Sequence, residues 1–155
     1  MADNIIDLTA TIKISKSPAK VFAYLSNYTN DSLWRKEINW VKLNTGTIAK
    51  ETVITEESFL SRRVPNYVST LQCTDIQNNR LITSETIPGN PFWAKNTRMV
   101  EPLPSNFTKV TYQLQFDRNI VKHGLGFNLP KFLVNFYTRS TMKKYLAVLK
   151  KNLEK

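Results

Sequence analysis

The chain has 155 residues, of which 41% are hydrophobic and 11% aromatic; that is enough to fill one core and too apolar for disorder, so a single domain over 1–155 is expected. The formal net charge is +10, no uncharged apolar run approaches the roughly 18 residues that span a bilayer, and Asp3 and Asp7 interrupt any secretory segment, so a soluble, cytoplasmic protein is expected. One cysteine, Cys73, and one histidine, His123, exclude an internal disulfide and a soft-ligand zinc site, and no cofactor is expected.

Ile6, Leu8, Ala10, Ile12 and Ile14 alternate with polar residues, which predicts a half-buried strand over 5–14. Ser17-Pro18 then offers a hydroxyl cap before a proline at the first helical position, and Val21, Phe22 and Leu25 supply the stripe of a short helix. Asn30 or Asp31 is expected to cap a second short helix carrying Leu33 and Trp34, and Gly46 to turn the chain between strands near 38–43 and 47–57. Four further segments rich in β-branched and aromatic residues follow, at 67–74, 81–87, 92–100 and 109–116, separated by polar or proline-containing turns. In the last of them Val110, Tyr112, Leu114 and Phe116 share one side. From Pro130 onward Met142, Tyr145, Leu146, Leu149 and Leu153 recur at helical spacing, so one long helix closes the chain. The order is strand, two short helices, about six strands, long helix.

The basic excess is concentrated. Residues 1–117 hold thirteen Lys/Arg against eleven Asp/Glu, whereas 118–155 hold nine against Glu154 alone, a net +8. That segment reads either as a solvated helix face or as an anion-binding surface. No base-reading motif accompanies it, so nucleic acid is not an expected partner. His123 stands among glycines without an acid or nucleophile near it in sequence, and Gly124-x-Gly126 reads as a hinge or turn. Glu56 and Glu57 are adjacent on a strand and face opposite ways, so they do not act as a pair. Cys73 reads as a small buried apolar residue, and the sequons at Asn27, Asn30 and Asn106 carry no weight without a signal peptide. Phe132, Leu133, Val134, Phe136 and Tyr137 make the start of the long helix apolar around nearly its whole circumference, which leaves some of them in need of a partner.

This order, with Ser17-Pro18-Ala19-Lys20-Val21-Phe22 leading into Tyr24-Leu25-Ser26-Asn27 and then Trp34, resembles the START-like (SRPBCC) superfamily, and more narrowly its polyketide cyclase/dehydrase and lipid-transport group. Thr45-Gly46-Thr47 and Arg80-Leu81 fall where members have a glycine turn and a strand start; the chain departs at Asn78-Asn79-Arg80, often Pro-Pro-Arg, and at Asn106-Phe107-Thr108, often Gly-Gly-Thr. The resemblance implies an α+β helix-grip fold: a curved antiparallel sheet of about seven strands wrapped around the long C-terminal helix, with a cavity for an apolar ligand between them. It places the 125–137 segment at the cavity mouth, as a lip for ligand access, membrane contact or dimerisation, unless the segment packs on Pro91, Phe92 and Trp93. Candidate ligand-binding residues are Trp34, Trp40, Trp93, Tyr112, Leu114, Phe132, Asn135, Arg139 and Met142. Thr138 falls on the same helix face, and Arg139 either donates to a ligand oxygen or reaches solvent. The expected function is binding of a lipid, polyketide-like or isoprenoid molecule. A metal-free cyclase or dehydratase is the alternative, and binding of an anionic surface or of nucleic acid through the basic segment comes third.

Overall fold

The structure, a computed structural model, describes residues 4–155. Strand β1 (Ile5–Ile14) buries Ile6, Leu8, Ala10 and Ile14 on one side, as its alternation predicts. Helix α1 (Pro18–Ser26) starts where Ser17 Oγ accepts the Lys20 amide at 3.4 Å, and it turns Val21, Phe22 and Leu25 into the core. The second short helix is a 3-10 turn, Tyr28–Leu33, and its cap is Asn27, whose Oδ1 accepts the Thr29 amide. Asn30 and Asp31 therefore do not cap it; Asp31 is fully buried and has another role.

Six strands follow: β2 (Ile38–Leu43), β3 (Val53–Ser58), β4 (Tyr67–Gln77), β5 (Leu81–Thr86), β6 (Ala94–Leu103) and β7 (Phe107–Asp117). Strand β3 begins six residues later than predicted, because Asn44 Oδ1 holds the Val53 amide and Thr52 Oγ1 the Ala49 amide, tying residues 44–52 into a loop. Both turns that depart from the resembled pattern adopt the left-handed backbone. Asn79 has φ 60°, and Ser105 and Asn106 have φ 64° and 62°. Asparagine tolerates that region better than most residues with a side chain.

The strands form one antiparallel sheet in the order β1-β7-β6-β5-β4-β3-β2. Helix α2 (Asn119–Leu125) lies where a flexible glycine hinge is expected from sequence. Asp117 Oδ1 accepts the Asn119 amide at 2.9 Å, and Gly126 ends the helix at φ 84°, its amide donating to the Lys122 carbonyl at 2.7 Å. Gly126 is thus a helix terminator. Helix α3 (Lys131–Leu153) buries Val134, Met142, Tyr145, Leu146 and Leu149 against the sheet. Its far end is pinned to β1, where Lys150 Nζ donates to the Lys13 carbonyl and Glu154 accepts the Ser15 amide.

A fully buried ionic link lies in the core. Arg98 on β6 donates to both carboxylate oxygens of Asp31 at 2.9 and 2.6 Å and to the Leu25 carbonyl at 2.8 Å. Its guanidinium carbon lies 4.0 Å from the Tyr28 ring centre and 5.0 Å from that of Trp34. Burial works against the Arg98 charge, and Asp31 more than offsets it, so the pKa lies above its ordinary value. Removing one partner strands the other in an apolar site. Arg98→Met or Asp31→Asn should each cost about 3–5 kcal/mol in urea unfolding, and an Asp31→Leu/Arg98→Met double variant should cost less than their sum.

Candidate functional site

Between the sheet and the two C-terminal helices lies a cavity of about 500 Å³. That is within the size range of small-molecule sites. Apolar walls come from Leu71 on β4, Leu114 and Phe116 on β7, Ile120 and Val121 on α2, and Val134 on α3. Leu125 and Tyr137 line it and are also exposed, which marks the mouth at the start of α3. Ser61 on the β3–β4 loop donates to the Gly124 carbonyl and ties that loop to α2 beside the mouth.

The inner end is polar. Inward-facing positions on the strands carry Glu56 and Ser58 on β3, Ser69 on β4 and Asn96 on β6, all buried. Arg35, which follows the 3-10 turn, reaches this end with Nη1 3.1 Å from Asp31 and 3.6 Å from Glu56, and Nη2 3.2 Å from Glu37. Burial opposes the Arg35 charge, while Tyr112, Glu37, Glu56 and Asp31 around it outweigh burial and keep it firmly protonated. Glu37 also accepts a hydrogen bond from the Tyr145 hydroxyl. Glu56 differs from its neighbours: it is 8% exposed, lines the cavity, and its one polar partner among the described residues is Arg35. Burial pushes its carboxyl above the usual range, and the Arg35 charge offsets this only in part. Glu57 faces the other way, accepting from Asn39 and Asn66, so the two glutamates are divided by the sheet as expected.

Residues 6–154 match the family described as polyketide cyclase/dehydrase and lipid transport. The chain belongs to that family. No curated protein matches the sequence. Among solved structures, a START superfamily protein from Mycobacterium smegmatis has a TM-score of 0.74 at 12% identity, with 96% of this chain and 97% of that one covered. The Zhui aromatase/cyclase from a Streptomyces species has a TM-score of 0.74 at 12% identity, covering 97% and 94%. A protein from Thermus thermophilus has a TM-score of 0.72 at 12% identity, covering 96% and 97%. At these identities the likeness is one of fold, and it agrees with the START-like helix-grip architecture. No described helix is long and apolar enough to cross a membrane.

The candidate residues from sequence fall into three groups. Leu114 lines the cavity, and so does Thr138. Trp34, Tyr112 and Met142 are fully buried beneath it, with the Trp34 and Tyr112 rings in edge contact at 5.6 Å. The remainder lie outside the lining: Trp40 is half-buried beside Lys42, Trp93 donates to Glu85 in a separate shallow groove, Asn135 is half-buried, and Arg139 and Phe132 are exposed. Phe92, rather than Trp93, reaches the cavity, stacking near Tyr67 and His123. His123 is exposed. Sequence reading considered Glu56 only as half of a pair with Glu57, and it passed over Arg35, Ser58, Ser69 and Asn96. Their signal was the alternation Ile54-x-Glu56-x-Ser58, which puts a carboxyl on the same side as a core isoleucine.

A raised carboxyl pKa in the folded state means that the native protein holds this proton more tightly than the unfolded chain. The associated stability is fully present below the ordinary glutamate value of 4.5 and is lost as pH rises through the native value. Glu56→Gln should therefore match wild type in urea unfolding at acid pH and become progressively more stable than wild type toward neutral pH. A stability difference independent of pH would contradict this assignment.

Proposed function

We propose that the protein binds a small, largely apolar molecule, a lipid, polyketide-like or isoprenoid compound, with its body between sheet and helices and its polar end at the Arg35–Glu56 floor. The cavity carries the reading: it is apolar-walled, open at one end and polar at the other, and the family and fold both accord with a ligand site. A native-state titration with the fluorophore anilinonaphthalene sulfonate should show one saturable site. Leu114→Trp should fill the cavity and abolish binding while circular dichroism stays unchanged.

A second reading, a cyclase or dehydratase, has one observation in its favour. Glu56 is a buried acid inside the cavity, where a general acid or base for polyketide-like chemistry would have to sit. It requires turnover of a polyketide-like substrate that Glu56→Gln abolishes without abolishing binding.

The C-terminal charge supports a contact of the mouth with an anionic membrane surface. Phe127, Phe132, Phe136 and Tyr137 are 56%, 70%, 67% and 60% exposed, so most of each ring is left uncovered. Lys122, Arg139 and Lys143 are exposed on the same stretch, and residues 118–153 include no acidic residue. An apolar lip framed by cations complements an anionic lipid surface, each cation near it contributing about 1 kcal/mol. Vesicles containing phosphatidylserine should bind the protein at low salt and release it as salt rises, and Phe127→Ala/Phe132→Ala should bind poorly. Equal binding to neutral vesicles would overturn the electrostatic part. Concentration-dependent dimerisation abolished by the same double variant would assign the lip to self-association instead.

A further inference from the structure

We infer that the cavity floor selects a neutral ligand whose inner end presents a hydrogen-bond-accepting oxygen, a ketone or ester carbonyl above all, and rejects a carboxylate of the same size, with Glu56 as the donor to that oxygen. This deepens the ligand-binding reading and rests on it.

The charges at the floor are already matched. Arg98 is taken up by Asp31 and the Leu25 carbonyl, and Arg35 is shared among Asp31, Glu37 and Glu56. Two guanidinium groups thus face three carboxyl groups, and both Arg35 Nη atoms point at oxygens already in place. A ligand carboxylate entering here would meet Glu37 and Glu56 with no free cation to receive it. Lys95 also lines the cavity, but it sits on β6 one residue out of phase with the inward-facing Asn96, toward the sheet's other side. Arginine clusters that capture anionic ligands present free Nη pairs; here the Nη atoms are taken, and the guanidinium N–H groups without a partner among the described residues are the buried Nε of Arg35 and of Arg98.

Glu56 is a floor group with an unmet need. Its side chain is about nine-tenths buried, it has no hydrogen bond to any described residue, and Arg35 lies at 3.6 Å, beyond hydrogen-bond distance; the Tyr67 hydroxyl, also in the lining, is likewise without a partner among the described residues. A buried carboxyl in that position is most stable as the neutral acid, which has a proton to donate. The other charged and titratable groups around it are Asp31, Glu37 and Arg98, with the Tyr67 phenol on β4, whose pKa burial also raises. With Glu56 protonated, two carboxylates balance two guanidinium groups, and the site is electrically neutral. Ser58, Ser69 and Asn96 nearby offer further neutral donors.

The test is displacement of anilinonaphthalene sulfonate by three probes of equal chain length: undecan-2-one, undecanoate and undecylamine. The ketone should bind roughly tenfold or more tightly than the carboxylate, the size of effect set by one buried hydrogen bond and one unmatched charge. Glu56→Gln, whose amide still donates, should keep ketone affinity, whereas Glu56→Leu should lower it by a similar factor relative to the fluorophore affinity measured on the same variant. Wild-type ketone affinity should fall as pH rises, and that of Glu56→Gln should stay flat. Undecanoate or undecylamine binding as tightly as the ketone, or Glu56→Leu leaving the ketone unaffected, would overturn the inference and leave cavity binding standing. If the fluorophore itself does not bind the native protein, the ligand-binding reading falls and takes this one with it.

Discussion

The grip of Asp31 on Arg98 is the contact on which the rest of the site depends. It joins the 3-10 turn after α1 to the middle of β6, two elements that no backbone ladder connects, and both partners are fully buried. Once Asp31 is fixed, Arg35, four residues on, is held against the same carboxylate, and its Nη atoms are turned toward Glu37 and Glu56. The polar end of the cavity is therefore set by a structural ion pair one layer beneath it. The aromatic rings of Tyr28, Trp34 and Tyr112 close around Arg98 and keep water from weakening the link. Tyr28 shares in this, its hydroxyl donating to Ser84 and its pKa pushed up to about 12 by burial.

A polar floor under apolar walls also explains which parts of the molecule could be read in advance. Strands β1 and β7 and helices α1 and α3 carry regular apolar periodicity, because each buries a full face or stripe, and their order pointed to the helix-grip architecture. Helix α2 has seven residues with a glycine inside, and its start relies on Asp117 beyond its own end, so nothing in its local pattern rises above a turn. The start of β3 is decided by side-chain contacts of Asn44 and Thr52, which periodicity does not register.

The site was harder to read than the fold for a related reason. Inward positions on β3, β4 and β6 hold Glu56, Ser58, Ser69, Asn96 and Arg98, residue types that mimic a solvent face. Large aromatic residues drew attention instead, and Trp34 and Tyr112 are spent on packing around Arg98, while Trp40 and Trp93 lie outside the cavity lining. A ligand cavity inverts the ordinary correlation between polarity and exposure, and only the pairing of strands reveals which polar residues have been turned inward.

The sheet order has a bearing on how the molecule assembles. Strand β1 pairs with β7 along its whole length, from Ile5 opposite Asp117 to Ile14 opposite Thr108, whereas every other ladder joins neighbours in the chain. During synthesis the meander from β2 to β6 can zip up hairpin by hairpin, but β1 must wait, its isoleucine-rich side uncovered, until β7 has been made. Contacts so distant in sequence close slowly, and an apolar strand left waiting is open to pairing with another chain. Helix α3, which covers β1 and follows β7 in the chain, completes the core after that pairing.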